Sequence, residues 1–335
     1  DGQCLDKRTR ANAAMPADPY TPLDTIRTAE WLIASLAEYA EHPVEAIVPV
    51  AHGAALAGVR DGVQAFIPPD YEWALPENDL AEYRASRDPF ALTGSPALPA
   101  GLNLGAQLHM LDALGALEGA TLMPYAQYWA WLLSGVAVSE VTSLGCHTDL
   151  WAPGEGDFSP MAKRHGWAGL FAPMARAGEA VGTLLPDLAS CTGLSPEVRV
   201  HAGLHDSNAA LLAARAFPQI GGQEATVLST GTWFVALRTS GRSPSEPIDL
   251  TALSEARDCL VNVDIAGQPV PSARFMGGRE YEMIVPSGVA GDDASLHEVL
   301  GKMILLLPSV ERTSGPFQGM ASAWQPFEPQ GPARA

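Results

Sequence analysis

The stretch from Val198 to Trp233 constrains the fold of this chain more than any other part of the sequence. It reads V-R-V-H-A-G-L-H-D-S-N-A-A, continues through an alanine-rich segment, and ends in A-T-V-L-S-T-G-T-W. A β-branched run, a turn, a helix and a second β-branched run are the alternation of an α/β protein. Such proteins bind ligands beyond the carboxyl ends of their strands. Asp206 follows the first strand, so it is the leading candidate for a site residue.

Composition and charge limit the classes of protein to which the chain can belong. Its 335 residues are enough for two domains, and an apolar fraction of 47% supplies sizeable cores. The formal net charge of −18 argues against nucleic acid and membranes as partners, because both need a positive protein face. We therefore expect small-molecule ligands, with any phosphate held by backbone N–H groups, a few arginines or a metal. Whether the protein forms a homodimer is left open by the sequence.

Cysteine usage and hydropathy favour a cytoplasmic protein. The four cysteines are far apart and form no C-x-x-C motif, as is usual in reduced proteins. No apolar run approaches the roughly 20 residues of a membrane helix. The sequence also lacks a P-loop, a G-x-G-x-x-G dinucleotide motif and a G-x-S-x-G elbow, which excludes three common classes of nucleotide-binding or hydrolytic site.

Asp206 has the chemistry of a general base. At the start of a helix it is favoured in its ionised form, and it can then accept the proton of a hydroxyl that attacks phosphorus. The alternative is that Asp206 is only the N-cap of a helix spanning Ser207–Ala216.

The segment Ser229-Thr230-Gly231-Thr232 is predicted to form a hairpin turn. Its N–H groups can surround an anion, and Gly231 allows the backbone to come close to a phosphate. The alternative is an ordinary hairpin turn, for which these residue types are common. The position of Asp206 a short distance upstream favours the interpretation of this turn as a phosphate site.

A second interpretation of the same region is a metal site. His201 and His205 are separated by four residues, and Asp206 is adjacent. Two histidine ligands at this spacing require a helix, whereas Val198–Gly203 is predicted to be a strand and turn. A metal-dependent hydrolase using these three side chains therefore remains the weaker hypothesis, and His205 is expected instead to line a ligand site.

Three further polar residues are candidate ligand contacts. His52 follows a predicted buried strand, Glu45–Val50, and can contact a polyol or serve as a structural histidine. Glu72 lies in a rigid loop, 68–73, that combines carboxylates with aromatic rings; a plain surface loop is the alternative. Gln127 is the polar exception in an aromatic helix that is otherwise predicted to pack in the core.

Four helices are predicted from apolar spacing and end signals. They cover residues 24–39, with Asp24 as cap, and then 105–117, 125–133, where Ser134-Gly135 follows, and 295–307.

The motifs together resemble one family. The run G-L-H-D-S-N-A-A followed by L-S-T-G-T-W is similar to the FGGY carbohydrate kinases, most closely their rhamnulose and fuculose kinase branch. Three upstream segments resemble the same family in the same order: A-I-V-P-V-A-H-G-A-A, T-G-S-P-A-L-P and Y-W-A-W-L-L-S-G-V-A-V-S-E-V-T-S. The resemblance covers most of Ala46–Leu237.

The resemblance implies an α/β protein with the two-domain actin-like ATPase (ribonuclease H-like) fold. Each domain would be a mixed sheet flanked by helices, with a cleft between the domains. Residues 1–200 would form the sugar-binding domain, and residues 201–335 the ATP-binding domain.

The implied activity is ATP-dependent phosphorylation of a ketose such as rhamnulose, fuculose or xylulose, with Mg²⁺ bridging the ATP phosphates. The resemblance implies a catalytic base, sugar contacts and residues facing the ATP phosphates: Asp206; His52, Glu72, Gln127, His205 and Ser207; Ser229, Thr230, Gly231 and Thr232.

The sequence departs from the family pattern at both ends. The family's first phosphate loop would lie just before Asp1, and the Gly-Gly adenosine motif is expected beyond Ala335, because Gly277-Gly278 comes too early. Residues 1–335 taken alone are therefore expected to bind ATP poorly. A catalytically inactive sugar- or nucleotide-binding protein of the same fold is the second hypothesis.

Overall fold

The computed structural model describes residues 3–12, 15, 17–241 and 249–334. Helices and strands alternate along the chain, and short 3₁₀ helices occupy Trp167–Leu170, Leu250–Ala252, Glu255–Arg257 and Gly331–Arg334. The described helices, α1 to α11 in order, are Thr25–Ala37, Glu77–Ser86, Phe90–Thr93, Leu104–Ala113, Tyr125–Ser134, Val141–Leu144, Pro160–Arg164, Pro186–Thr192, Asp206–Arg215, Gly277–Ile284 and Asp293–Gly301. The described strands, β1 to β16 in order, are Ala46–Ile47, Val50–Ala51, Leu56–Arg60, Val63–Phe66, Thr121–Pro124, Trp151–Ala152, Asp157–Phe158, Ala180–Thr183, Arg199–His201, Leu204–His205, Ala225–Thr230, Phe234–Thr239, Cys259–Val263, Pro269–Phe275, Leu305–Leu307 and Ala323–Gln325.

The chain divides into two compact units. Unit 1 comprises Asp1–Ala209 and Val263–Gln268, and unit 2 comprises Ala210–Asn262 and Pro269–Ala335. The assignment of residues 1–200 to the sugar and 201–335 to ATP stays a prediction, because compactness alone does not assign a ligand to either unit.

Two short parallel strands in unit 1 place the candidate site. Strand β10 pairs with β2, so that Leu204 lies opposite Val50 and His205 lies opposite Ala51. The residues that follow these two strands are His52 and Asp206. Because the carboxyl ends of paired parallel strands lie at the same edge, this register brings together two side chains that are far apart in sequence.

The predicted buried strand at Glu45–Val50 is wrong in two respects. The segment forms two separate two-residue strands, β1 and β2, which pair with β9 and β10 respectively. It is also largely exposed, since Val48 is 51% and Val50 is 48% accessible. Pro49 interrupts the segment because proline has no N–H to donate to a ladder.

Helix α5 and strand β3 form much of the core that supports the site. Tyr125, Tyr128 and Trp129 of α5 pack with Ala57 and Val59 of β3. The predicted helix 125–133 is confirmed, and it ends as expected at Gly135, which has a φ of 76° and donates its N–H to Trp131 O at 2.7 Å.

The other predicted helices are confirmed in part. Asp24 caps α1 by accepting a hydrogen bond from Arg27 N. Helix α4 ends at Ala113, before the predicted end at Leu117. Gly115, just beyond the helix, adopts a left-handed φ of 69°. The helix predicted over 295–307 ends at Gly301, because Met303 adopts a left-handed φ of 50° and Leu305–Leu307 then pairs with Ala323–Gln325 as a strand.

Unit 2 contains a four-stranded sheet in the order β11-β12-β14-β13. The hairpin predicted around Ser229–Thr232 is present, but its turn lies further along. Ser229 and Thr230 pair with Val235 and Phe234, so they belong to the strands and only residues 231–233 form the turn. β-branched and hydroxyl side chains suit a strand, and the ladder continues until Gly231.

Candidate active site

Unit 1 contains a cavity of about 570 Å³ with a mixed polar and aromatic wall. Its lining residues are Asn12, Pro22, Leu23, Asp24, Thr28, Val50, Ala51, His52, Asp70, Tyr71, Glu72, Tyr125, Trp129 and Asp206. Three residues predicted to act in one site, His52, Glu72 and Asp206, therefore meet in one cavity. Its volume is within the range of small-molecule sites.

His52 stands between two aromatic rings of the cavity wall. Its ring centroid lies 5.1 Å from that of Tyr71 and 5.1 Å from that of Tyr125. Burial lowers the pKa of the His52 imidazole to about 4, so the ring is neutral near pH 7. Its buried Nδ1 has no hydrogen-bond partner among the described residues. Buried polar atoms are usually hydrogen-bonded, so this nitrogen is available to a group of a bound ligand.

Asp206 is the first residue of helix α9, so the alternative of an N-cap preceding Ser207–Ala216 does not match the observed helix start. Its Oδ1 accepts the N–H of Ser207 at 2.6 Å and lies 3.2 Å from His205 Nε2. A capping carboxylate bonds the N–H two or three residues on. Among the described residues, the hydrogen bonds and ion-pair contacts of the Asp206 carboxylate are made by Oδ1, which leaves Oδ2 for a ligand in the cavity.

His205 lies behind Asp206 and outside the residues that line the cavity. It is only 6% exposed, and Asn208 Nδ2 lies 3.4 Å from its Nδ1. Burial lowers the pKa of the imidazole, although the charge of Asp206 opposes this effect. The structure thus brings His205 to Asp206 and not to the cavity surface.

Gln127 and Ser207 are also absent from the cavity lining. The Gln127 side chain is fully buried, and its Nε2 donates to the carbonyls of Ala202 and Gly203 at 3.0 and 3.2 Å. It therefore ties α5 to the turn that precedes β10. Ser207 instead donates its N–H and, at 3.3 Å, its Oγ to Asp206 Oδ1.

Sequence reasoning missed part of the wall. Asp24 was expected only as a helix cap, and Trp129 only as core, yet both line the cavity. Asp24 does cap α1 and also pairs with Arg10 at 2.9 Å. Asp70, one of the carboxylates of the loop 68–73, also lines the cavity, and its Oδ1 accepts the Glu72 N–H at 2.9 Å and shapes that loop. A cap or core residue that also faces a cavity carries no separate signal in sequence.

The hairpin turn of unit 2 packs against the start of α10. Gly278 donates its N–H to Thr232 O at 3.2 Å, and a side chain at Gly278 would collide with the Gly231 carbonyl. By contrast, a Cβ added at Gly231 would meet nothing closer than 3.7 Å. Close packing on this turn thus explains Gly278, and the rings of Phe234 and Phe275 explain Gly277, whereas the space at Gly231 is open.

The metal-site interpretation finds no ligand set in the part of the chain that the structure describes, where no group of three His, Cys, Asp or Glu side chains could hold an ion. The His201 ring nitrogen Nδ1 lies 2.8 Å from Gly178 O. Within the described ranges, none of the helices combines the length and apolar character needed to cross a membrane.

Comparisons with known proteins converge on one family. Residues 222–335 match the profile described as carbohydrate kinase FGGY, C-terminal domain. A carbohydrate kinase from Novosphingobium aromaticivorans is 54% identical; the similarity covers 100% of this chain and 74% of that one, with a TM-score of 0.90. No match was found among curated proteins.

More distant structures share the fold. A glycerol kinase from Plasmodium falciparum, solved with ADP, has a TM-score of 0.75 at 10% identity, over 97% of this chain and 68% of that one. A xylulose kinase from Rhodospirillum rubrum has a TM-score of 0.69 at 16% identity, over 95% and 67%. The predicted α/β, actin-like ATPase fold is thereby confirmed.

Proposed function

This chain belongs to the FGGY family of carbohydrate kinases, and we propose that it phosphorylates a neutral ketose or polyol in the cytoplasm, with Asp206 as the general base. The family transfers a phosphoryl group from ATP to an alcohol group. The observation that carries the proposal is the cavity of unit 1, which brings His52, Glu72 and Asp206 together.

The base acts from a fixed position. Asp206 Oδ1 is engaged by the Ser207 N–H and the His205 ring, so Oδ2 is the oxygen available to a sugar hydroxyl. As that hydroxyl attacks phosphorus, Asp206 takes its proton. ATP supplies the phosphoryl group when it is bound, and the protein's part is to hold and deprotonate the acceptor.

The other wall residues suit a polyhydroxylated chain. Neutral His52 can exchange a hydrogen bond with one hydroxyl through its unpartnered Nδ1, and Asp70 and Glu72 can accept from others. The rings of Tyr71 and Trp129 supply flat apolar surfaces for the C–H faces of a sugar. Ketoses such as rhamnulose, fuculose and xylulose fit this description.

The charge of the wall favours neutral substrates over sugar acids. Four carboxylates line the cavity, and none of its described lining residues is Lys or Arg. Among the residues that the structure describes, Asp24 is the one of these four carboxylates with an Arg or Lys ion-pair partner, Arg10. A substrate carboxylate would therefore face Asp70, Glu72 and Asp206 without compensation, and each such like-charge contact costs about 1 kcal/mol at a partly solvated site.

Substrate preference can be measured on pairs that differ only in charge. We expect kcat/KM to be about a hundredfold higher for glucitol than for gluconate, and likewise for xylitol than for xylonate. The assay is coupled ADP release, run beside a panel of ketoses. Glu72→Gln should narrow the ratio about fivefold, whereas Glu118→Gln, which changes an exposed carboxylate outside the cavity, should leave it unchanged. A preference for the acids would contradict the neutral-sugar proposal.

Ser229, Thr230, Gly231 and Thr232 are proposed to face the ATP phosphates from unit 2. The open space at Gly231 fits this role, because the fold itself does not require a glycine there. Mg²⁺ at such sites commonly retains water and binds chiefly to phosphate oxygens, so it needs few protein ligands. This agrees with the described residues, among which no three His, Cys, Asp or Glu side chains could hold an ion together. When bound, the ion would offset the phosphate charge.

The turn can be tested with two matched glycine substitutions. Gly231→Ala should leave the melting temperature nearly unchanged, since the added Cβ meets nothing within 3.7 Å, but should raise KM for ATP about tenfold by blocking close approach of the phosphate. Gly278→Ala should lower the melting temperature, since its Cβ collides with the Gly231 carbonyl. An unchanged KM in a folded Gly231→Ala protein would contradict the phosphate assignment.

The second candidate is a sugar-binding protein of the same fold without kinase activity. Both candidates share the cavity of unit 1, so only turnover separates them. Calorimetric binding of a ketose together with no ADP release across the panel would favour the binding protein.

A further inference from the structure

His205 lies between the proposed base and a buried amide. Its Nε2 lies 3.2 Å from Asp206 Oδ1, and its Nδ1 lies 3.4 Å from Asn208 Nδ2. His205 and Asn208 are 6% and 1% exposed. The neighbours of each ring nitrogen are therefore protein groups of known donor and acceptor character.

Chemistry fixes the tautomer of this imidazole. A carboxylate can only accept a hydrogen bond, so His205 Nε2 must carry a proton. Burial lowers the pKa of His205 and keeps it neutral, so Nδ1 carries a lone pair and requires a donor. Asn208 supplies its amide NH₂ to that lone pair, and this orientation leaves the buried Asn208 Oδ1 without a hydrogen-bond partner within the described ranges. The Asn208 NH₂ group therefore orients the imidazole ring, while the amide oxygen receives no hydrogen bond from the described residues.

The position of the ring is held from two further sides. The backbone N–H of His205 donates to Thr142 Oγ1 at 3.0 Å, and that hydroxyl donates to the buried carboxylate of Glu140 at 2.5 Å. On the other side, Gly53 packs so closely that a Cβ there would lie 3.0 Å from the His205 ring and would collide with Cys146 Sγ. The imidazole therefore has little freedom to turn away from Asp206.

We propose that His205 and Asn208 are positioning residues for Asp206: Asn208 sets the His205 tautomer, and the Nε2–H holds Asp206 Oδ1 so that Oδ2 meets the substrate hydroxyl. The inference rests on the proposed function, in which Asp206 is the base. It replaces the expectation that His205 contacts the sugar. Displacement of a reacting group by about 1 Å can cost a hundredfold in rate.

Three substitutions separate this role from a general structural one. His205→Leu removes the donor and should lower kcat about a hundredfold with the sugar dissociation constant unchanged by calorimetry. His205→Gln restores an N–H donor and should recover most of the loss. Asn208→Leu removes the donor to Nδ1 while keeping a side chain of similar size, so the Nε2–H tautomer loses the support of Asn208, and kcat should fall in the same direction as in His205→Leu.

A double-mutant cycle with Asp206→Asn tests whether the effect passes through the base. In the Asp206→Asn background, His205→Leu should reduce the residual rate no further. Equal losses in His205→Leu and His205→Gln, or losses that multiply in the double mutant, would overturn the positioning role.

Imidazole ¹⁵N chemical shifts give a readout that does not depend on turnover. In the whole chain, with the His205 signals assigned by their loss in His205→Gln, we expect a protonated Nε2 and an unprotonated Nδ1. The Nδ1–H form would overturn the inference even if the enzyme is a kinase. The Nε2–H form in a protein without turnover would support the tautomer and count against the proposed function.

Discussion

Asp206→Asn is expected to lower kcat by about 10²–10⁴-fold, the usual contribution of a general base. Asparagine has nearly the same shape and keeps an oxygen that can accept the hydrogen bonds of Ser207 and His205, but it cannot take up a proton from the sugar. The sugar dissociation constant, measured by calorimetry without ATP, should therefore change little. The loss should appear in kcat of the coupled ADP-release assay.

The matched comparison for this prediction is Asp70→Asn, a second carboxylate in the same cavity wall. It removes the same charge but leaves the base in place, so it should act mainly on KM for the sugar. Near-normal turnover by Asp206→Asn, or an equal loss of kcat in both variants, would contradict the assignment of Asp206 as the base.

Asp149→Ala is expected to lower the free energy of unfolding by about 3–5 kcal/mol, as removal of one partner from a buried ion pair usually does. Asp149 accepts hydrogen bonds from Arg87 Nε at 2.6 Å and Arg87 Nη2 at 2.9 Å, and also from the Tyr83 hydroxyl. The two charged side chains are only 1% and 11% exposed. The substitution leaves the Arg87 cation in the interior without this carboxylate. Urea unfolding followed by circular dichroism measures the change through the midpoint and slope.

Asp157→Ala is the control for this stability prediction. Asp157 pairs with Lys163 at 2.8 Å, but these side chains are 57% and 46% exposed. Exposed ion pairs contribute about 0–1 kcal/mol, so its unfolding midpoint should stay near that of the wild type. Similar losses in the two variants would show that burial of the Arg87–Asp149 pair is not what makes it stabilising.

Local patterns predicted the elements whose ends have strong chemical signals. Helix α1 begins after Asp24, and α5 ends at Gly135, because a capping carboxylate and a left-handed glycine act within one turn of the chain. Predictions failed where partners distant in sequence decide the structure. The segment 45–50 is interrupted at Pro49 and its two halves pair with different strands, β9 and β10, and Leu305 is in a strand because Gln325 lies opposite it.

Some residues of the candidate site could likewise be predicted from local sequence, and others could not. Asp206 could be predicted because a strand, a turn and a helix follow one another within a few residues, and this arrangement exposes a carboxylate at a strand end. The position of His205 beside Asp206 and outside the cavity lining could not be predicted, because a histidine that lines a cavity and one that orients a neighbouring carboxylate can have the same sequence neighbours. Gln127 stood out as a polar residue in an aromatic helix, but its buried bonds to Ala202 and Gly203 depend on how α5 packs.

The sequence by itself determined the α/β class, the resemblance to FGGY kinases and the identity of the proposed base, since each depends on residues close together in the chain. Only the tertiary structure decided which residues surround that base. The β2–β10 register places His52 beside Asp206, and the hydrogen bond from the His205 backbone N–H to Thr142 Oγ1 holds helix α6 beside β10. Strand register and helix packing arise from contacts between segments that are distant in sequence, so spacing along the chain carries no direct record of them.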